Sequence, residues 1–218
     1  MCLQTKAYYR SLSLSPTSTK RNYVFISANG LNREQDVDLW DGVALRSLEG
    51  DVLSALRIIA PGVEDLNFLG DASIRLRLER DTTSSRRRIP TVRIANIDEP
   101  LPLRSLGDGM QRMLGIALAL ANAKDGILLI DEIENGIHYS VQPELWQLVF
   151  QLAHRLNVQV FATTHSWDCI ESFQKAAQED KQEKRMLIRL SLKKGEIGAT
   201  LFDERTLGIA TREQIEVR

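Results

Sequence analysis

Four consecutive aliphatic residues that end in two adjacent acids constrain the fold of this chain more than any other segment. Gly126 precedes the run Ile127–Ile130, and Asp131 and Glu132 follow it directly. Such a run is typical of a short strand buried on both faces of a parallel sheet. Open α/β sheets bind ligands at the carboxyl ends of their strands. Because buried charges need compensation, two carboxylates there indicate a metal, a proton transfer or both. The alternative is that they only begin a loop or cap a helix.

Two flanking segments carry further polar groups. Upstream, Ser105–Gly109 precedes a helix predicted from the apolar spacing of Met110–Ala121. A helix start of this kind leaves backbone N–H groups free to bind an anion. Downstream, Val158–Thr164 is predicted as a second buried strand, which places His165 at the same sheet edge as the acids. The apolar residues between the strands fall on one face of a crossover helix, so the unit is βαβ. They are Val141, Leu145, Leu148, Val149 and Leu152.

These motifs resemble those of a known family. Ser105-Leu106-Gly107-Asp108 is similar to the signature loop of ABC-type ATPases in the variant of the SMC, RecF and OLD group. Asp131-Glu132 resembles the Walker B acid and the catalytic glutamate. Glu134 to His138 resembles the D-loop, which often reads E-x-G-L-H in that group, and Thr164-His165-Ser166 resembles the switch-histidine loop. The motifs follow the family's order and spacing, and they are most similar to those of bacterial AAA-type ATP-binding proteins related to the OLD family.

The resemblance implies a fold and a chemistry. The fold would be an α/β P-loop NTPase of the ABC-ATPase type, with a mostly parallel core sheet flanked by helices and with antiparallel β hairpins. Two copies would enclose ATP and Mg²⁺ in a symmetric dimer. Asp131 would hold Mg²⁺, Glu132 would polarise the attacking water, and His165 would contact the γ-phosphate. The expected nucleotide-binding residues are Ser105, Gly107, Asp108, Gly109, Asn135, Gly136 and His138. For His138 a structural capping role is an equal alternative.

One family element is missing. A phosphate loop requires G-x-x-x-x-G-K-[S/T], and none of the 13 glycines is followed by Lys-Ser or Lys-Thr. In the family this Walker A loop precedes every motif found here, so we expect the C-terminal part of an ATPase, incomplete at its N-terminus and inactive by itself. An expressed fragment, a split gene product and a protein that has lost nucleotide binding remain alternatives. A nucleotide-dead interaction module is the alternative function.

Composition limits the setting. The chain has 218 residues and a formal net charge of −1, which argues against a protein that coats nucleic acid. Its two cysteines indicate a reducing compartment. The longest apolar stretch, Leu114–Ala121, is about half of a membrane span, and no signal peptide is visible. We therefore expect a soluble, cytoplasmic protein without membrane contact. It is predicted as one partial domain, with a helical and β-hairpin region over 1–100 and the motif-bearing core over 101–218.

Weaker patterns complete the prediction. Tyr23–Ser27 is predicted as a strand, residues 33–59 as helical, and Met186–Ile188 with Thr200–Phe202 as a closing hairpin. Ile74–Leu78 and Val92–Ile94 are predicted as a second hairpin. Its segment Arg75–Arg93 holds seven arginines against two acids, which allows a nucleic-acid contact or protein docking. A solvated strand face is the alternative. The resemblance further implies a defence or DNA-processing system with a nuclease or other effector as partner; a transporter ATPase is disfavoured because its signature loop usually reads L-S-G-G-Q.

Overall fold

The computed structural model describes residues 2–4 (backbone only), 22–70, 88–180, 185–193 and 195–213. The predicted strand Ile74–Leu78 and most of the arginine-rich segment 75–93 lie outside the described residues. The strands are β1 (Cys2–Gln4), β2 (Tyr23–Ile26), β3 (Val63–Gly70), β4 (Arg88–Ile94), β5 (Leu101–Pro102), β6 (Ile127–Ile130), β7 (Gln159–Thr163), β8 (Met186–Lys193) and β9 (Glu196–Phe202). The helices are α1 (Arg33–Ala44), α2 (Glu49–Ile59), α3 (Asp108–Asn122), α4 (Gln142–Arg155), α5 (Trp167–Glu179) and α6 (Glu204–Arg212).

The main sheet is mixed and has a parallel core. Its strand order is β2-β6-β7-β1-β8-β9. Strands β2, β6 and β7 run parallel, and α4 connects β6 to β7 as the predicted βαβ crossover. Strand β1 is antiparallel to both neighbours, and β8 and β9 form the predicted closing hairpin. A second, antiparallel sheet has the order β3-β4-β5. The predicted α/β class with a parallel core and antiparallel hairpins is confirmed.

Burial in the core strands differs from the prediction. Leu128 and Ile130 of β6 are buried, whereas Leu129 between them is 37% exposed. Leu129 pairs directly with Phe25 of β2 and Phe161 of β7, and paired residues share a face of the sheet. Phe25 is exposed as well. The prediction of a strand buried on both faces is therefore wrong, because in the described residues the packed helices cover only one face.

The first helical region contains a break. Residues 33–59 are helical as predicted, in two helices separated at residues 45–48. Helix α1 begins at a capping box in which Asn32 and Gln35 exchange side-chain to backbone hydrogen bonds. The chain then leaves the helix through Ser47, whose φ of 56° is left-handed and interrupts the α-helical backbone. Helix α6 and strands β1, β3 and β5 were not predicted. Strand β4 pairs with β3, so the hairpin partner predicted for Val92–Ile94, Ile74–Leu78, is wrong for the described residues.

Helix α3 forms the centre of the core. Every residue from Met110 to Ala121 except Gln111 is buried, and α3 packs against α1, α2, α4 and β2. A helix that is apolar on nearly all sides is expected only where neighbours surround it. The position of α3 fixes the loop that precedes it, Ser105–Gly107, against the rest of the core. Among the described residues, no helix has the length and hydrophobicity that crossing a bilayer requires.

Candidate functional site

The two acids follow β6 at the carboxyl edge of the parallel strands. Thr163, the last residue of β7, connects them: its hydroxyl donates to Oδ1 of Asp131 at 2.6 Å and accepts from the backbone N–H of Glu132 at 2.9 Å. The N–H of Ile133 donates to the carbonyl of Thr163 at 3.1 Å. One threonine therefore holds the turn that carries both acids against the neighbouring strand. Sequence reasoning placed Thr163 in the strand but gave it no role.

Glu132 occupies an unusual backbone conformation. Its φ is 47°, in the left-handed region that non-glycine residues seldom adopt. Such conformations persist where surrounding contacts hold them, and they concentrate at functional sites. Here the hydrogen bond from the Glu132 N–H to Thr163 supplies part of that restraint. The side chain is half-buried, so the carboxylate is held at the sheet edge and remains accessible.

Arg112, on helix α3, contacts the same edge of the sheet. Its Nη1 donates to the carbonyl of Ser27 at 2.8 Å, and its Nη2 donates to the carbonyls of Asp131 and Glu132 at 2.7 and 2.8 Å. Burial lowers the pKa of this guanidinium, while the carboxylates of Glu134, Asp131 and Glu132 act in the opposite direction. Arg112 thus ties the end of β2 to the acidic turn. Sequence reasoning missed it, although a charged residue on the buried side of an apolar helix was a visible signal.

The loop after β7 is anchored by Glu134. Oε1 of Glu134 accepts from the Thr164 hydroxyl at 2.6 Å and from the backbone N–H of His165 at 3.3 Å. Ser166 caps helix α5 through Cys169 N–H, so the loop is fixed at both ends. The side chain of His165 is exposed. The structure therefore places His165 on a held backbone beside the acidic turn, as the sequence predicted.

The start of α3 packs against the predicted D-loop. Ser105 lies in a short 3₁₀ turn, Gly107 has a φ of 94°, and α3 begins at Asp108 without a side-chain cap. A Cβ placed on Gly109 would lie 2.9 Å from the carbonyl oxygen of Gly136, so only glycine allows this approach. Ser105, Gly107 and Asp108 are exposed. The two predicted nucleotide-binding loops thus meet through their backbones.

The remaining D-loop residues have structural contacts. Asn135 donates through Nδ2 to the carbonyl of Ala28 at 2.9 Å, and Gly136 has a φ of 78°. Nδ1 of His138 lies 2.9 Å from the Ser140 hydroxyl and accepts from the Ser140 N–H, which caps the following 3₁₀ turn. The His138 ring also packs on Tyr139 with centroids 4.3 Å apart. The structure therefore shows His138 in a capping contact through Nδ1, and its nucleotide-binding role stays a prediction.

A cleft lies behind these loops. Its volume is about 280 Å³, and it is lined by the turn Ala28–Gly30 together with Asp36, Asp108, Arg112 and Asn135. Burial raises the pKa of Asp36 to about 7. Sequence reasoning did not single out Asp36, since an acid in the first turn of a helix is ordinarily a dipole contact.

The acidic turn fits Mg²⁺ only in part. Asp131, Glu132 and the Thr163 hydroxyl offer the hard oxygen ligands that Mg²⁺ prefers. Within the described residues, no cluster of three or more His, Cys, Asp or Glu side chains is arranged to hold a metal. Mg²⁺ in nucleotide sites is commonly bound by one or two carboxylates together with substrate phosphates. The donor set fits that kind of site better than a closed protein cage.

Two known proteins are similar to part of this sequence. Over 83 residues the chain is 35% identical to a Helicobacter pylori protein named "ATP/GTP phosphatase", with 37% of this chain and 22% of that protein covered. The chain thus matches about a fifth of that relative's length. Over 82 residues it is 35% identical to "Uncharacterized protein MJECL11" of Methanocaldococcus jannaschii, with 38% of this chain and 72% of that protein covered.

A structural neighbour and a family model complete the comparison. The solved structure reported as "Structural biochemistry of ATP-driven dimerization and DNA stimulated activation of SMC ATPases" matches with a TM-score of 0.51 and 8% identity. The match covers 86% of this chain and 99% of that one, and at this identity it concerns the fold alone. A family model matches residues 51–168, more than half of the chain. The chain therefore belongs to the ATPase-type family described as "AAA domain, putative AbiEii toxin, Type IV TA system".

Proposed function

We propose that this chain supplies the catalytic acids, the switch-histidine loop and the signature loop of an ABC-type ATP-hydrolysing dimeric switch. The observation that carries the proposal is the bridge from Thr163 to both Asp131 and Glu132 at the carboxyl edge of parallel strands. It holds two acids on adjacent, fixed backbone positions, which is the arrangement that water activation beside a phosphate requires.

The two acids would have different roles. Oδ1 of Asp131 is occupied by the Thr163 hydroxyl, which leaves Oδ2 to face Mg²⁺ directly or through water. Mg²⁺ would supply charge neutralisation of the β- and γ-phosphates. Glu132, turned by its left-handed backbone, would orient and deprotonate the attacking water. The two roles differ because the Thr163 hydrogen bond fixes the Asp131 carboxylate, whereas the Glu132 carboxylate remains accessible.

His165 would contact the γ-phosphate. Its backbone N–H is bound by Glu134, whereas its imidazole is exposed. A fixed backbone with an accessible ring suits a group that must meet a transferring phosphoryl group and respond to its loss. Glu134 would act as a positioning residue, since it contacts the loop through Thr164 and His165.

The signature loop would act across a dimer. Ser105, Gly107 and Asp108 are exposed at an uncapped helix start, which favours an anion brought by another molecule. For the solved SMC ATPases, dimerisation is described as ATP-driven. By the same logic, Ser105–Gly109 of one subunit would cover the ATP that the other subunit binds. Gly109 and Gly136 would couple that closure to the D-loop.

The biological setting is proposed at the level of the family. Its description refers to a putative toxin of a type IV toxin–antitoxin system, and the SMC structure refers to DNA-stimulated activation. A defence or DNA-processing complex with a nuclease or other effector partner agrees with both. A nucleotide-dead interaction module is the second candidate, because no glycine in the chain is followed by Lys-Ser or Lys-Thr.

The first test uses the chain alone. Without a phosphate loop, residues 1–218 are expected to bind ATP·Mg²⁺ negligibly. A ligand present at about 100 times its Kd stabilises a protein by about 2.7 kcal/mol, which a melting curve detects. No rise in melting temperature is expected, and a clear ATP-dependent rise would show that the chain binds nucleotide in cis.

The second test uses the chain assembled with a phosphate-loop polypeptide. Glu132→Gln should keep ATP binding and lower turnover by roughly 10²–10⁴-fold, the usual weight of a positioned general base. Glu144→Gln, an exposed acid in α4, is the matched control and should hydrolyse at the parental rate. Parental turnover in the Glu132→Gln assembly would remove Glu132 from the mechanism. Absence of turnover in every assembly would favour the interaction module.

A further inference from the structure

The cleft behind the D-loop is lined by two polar groups that have no partner. The first is the carboxylate of Asp36, which forms no hydrogen bond and no ion pair within the part of the chain that the structure describes. The second is Nε of Arg112, which has no hydrogen-bond partner among the described residues, although Arg112 is only 6% exposed. Buried polar groups are nearly always hydrogen-bonded. Two unsatisfied groups on one cleft therefore indicate that an occupant completes them.

The cleft has room for a small molecule. Its volume of about 280 Å³ is several times the space of one water molecule, which is about 30 Å³ in the liquid. Asp36 is half-buried, whereas Asp108, the second acid on the wall, is exposed. Asp36 therefore lies further from solvent than Asp108, and a ligand can enter past the exposed acid.

The charge around the cleft favours a cation. Among the described residues that line it, two acids face one base, Arg112. Burial lowers the pKa of that guanidinium, and the carboxylates of Glu134, Asp131 and Glu132 oppose the shift. Burial also raises the pKa of Asp36 to about 7, and no charged group among the described residues offsets that effect. The positive charge of Arg112 is thus balanced by the acidic turn and Glu134, and a cation in the cleft would stabilise ionised Asp36.

The two unpartnered groups define the chemistry of the ligand. An ionised carboxylate only accepts hydrogen bonds, so the group that meets Asp36 must donate, and a charged donor forms the stronger bond. Nε of Arg112 is a donor, so the ligand must place an oxygen acceptor beside it. A ligand carboxylate would supply that acceptor but would add negative charge to an acidic cleft. A neutral carbonyl oxygen next to an ammonium group meets both requirements.

We propose that this cleft binds a primary ammonium group with a neighbouring carbonyl oxygen, the ammonium at Asp36 and the carbonyl at Arg112. Small amino amides and the N-terminus of a polypeptide are two sources of this chemistry. The inference does not rest on the proposed hydrolysis, since none of the catalytic acids lines the cleft. The occupant would join the turn Ala28–Gly30, the start of α3 and the D-loop, which the hydrogen bond from Asn135 to Ala28 already connects.

Glycinamide is the probe, titrated into the full chain at pH 7.5 by calorimetry. At this pH Asp36, with a pKa of about 7, is mostly ionised, and an α-amino group, with a pKa of about 7.7–8.0, is mostly protonated. Asp36→Asn keeps the shape of the side chain but removes its charge, so the Kd should rise about tenfold or more. Asp38→Asn, an exposed acid of the same helix, is the matched control and should keep the parental Kd. Melting curves check that both variants are folded.

Two altered ligands test the same contacts in the unaltered chain. N-acetylglycinamide lacks the positive charge, and ethylamine lacks the carbonyl oxygen. Each should bind at least about fivefold more weakly than glycinamide. Removing the carbonyl from the ligand replaces a variant of Arg112, which would also break the contacts to the carbonyls of Asp131 and Glu132.

Triglycine amide distinguishes the two sources. Affinity at least equal to that of glycinamide would assign the cleft to a polypeptide N-terminus, and weaker affinity would assign it to a small amino amide. Absence of saturable glycinamide binding would overturn the inference, and so would a parental Kd in the Asp36→Asn chain. Equal affinity for glycinamide and either altered ligand would overturn it as well, because one of the two unpartnered groups would then have no role in binding.

Discussion

The Thr163 hydroxyl lies 2.6 Å from Oδ1 of Asp131 and donates a hydrogen bond to it across two adjacent parallel strands. The same oxygen accepts from the N–H of Glu132. A single side chain thus sets both the rotamer of the first acid and the backbone of the second. This arrangement makes Thr163 a positioning residue for the proposed hydrolysis.

Replacing the hydroxyl by a methyl group tests that role. Thr163→Val keeps the shape of the side chain but leaves the Glu132 N–H without its acceptor and Asp131 without its donor. An unsatisfied group of this kind costs about 1–3 kcal/mol, so the free energy of unfolding of the chain in urea should fall by that amount. Thr163→Ser retains both hydrogen bonds and should lose less than about 1 kcal/mol. A Thr163→Val variant that loses no more stability than Thr163→Ser would mean that the two hydrogen bonds of the hydroxyl do not hold this edge.

We expect Arg112 to contribute more than Thr163 to the stability of the same sheet edge. Arg112→Lys keeps the charge but can retain only part of the three hydrogen bonds to the carbonyls of Ser27, Asp131 and Glu132. Urea unfolding should show a loss of about 2–4 kcal/mol. Arg57→Lys is the matched control, because Arg57 also binds two backbone carbonyls but is exposed. A loss no greater than the control's would show that Arg112 does not hold the edge.

The sequence predicted the elements whose signal is local. Aliphatic runs and helical spacing located β6, α4 and β7, and the order of polar residues at strand ends placed Asp131 and His165 at one edge. The contacts of Thr163 and Arg112 were not predictable in this way. Their partners include backbone groups that are distant in the sequence. The order of side chains in a sequence does not indicate the direction in which a distant carbonyl points. The break at Ser47 has the same origin, since a left-handed residue is a backbone property.

Burial was misjudged for a different reason. The sequence of a run such as Ile127–Ile130 is the same whether its second face is packed or exposed. Leu129 and Phe25 are exposed on the face that the run was expected to bury. The apolar pattern therefore located the strand, but it did not distinguish the face that the helices cover from the face that the described residues leave exposed.

Asp36 should make the stability of the chain depend on pH. Burial raises its pKa from 3.8 to about 7 in the folded state. Between these values the folded chain holds a proton that the unfolded chain has released, so the free energy of unfolding should fall as the pH rises from about 4 to about 7. The loss should reach up to about 4 kcal/mol. Asp36→Asn should remove this slope and be more stable than the parent above pH 7.

Asp38→Asn is the control for that experiment, because Asp38 is an exposed acid of the same helix. Urea unfolding at pH 4, 5.5, 7 and 8 gives the slopes for the three proteins. A parent whose stability rises with pH over this window, or an Asp36→Asn variant that keeps the parental slope, would contradict the assignment to Asp36.

The contact between Gly109 and Gly136 should tolerate no side chain. A Cβ at residue 109 would lie 2.9 Å from the Gly136 carbonyl oxygen, and a backbone carbonyl cannot rotate away as a side chain can. Gly109→Ala should therefore lower the free energy of unfolding by about 1–3 kcal/mol and increase amide exchange in the loop Asn135–Ile137. Gly50→Ala, in α2 with nothing within 4 Å of the added Cβ, should instead stabilise the chain by about 0.4–1 kcal/mol. If Gly109→Ala is neutral and leaves the loop protected, the start of α3 does not hold the D-loop. The proposed coupling between dimer closure and the catalytic edge would then need another route.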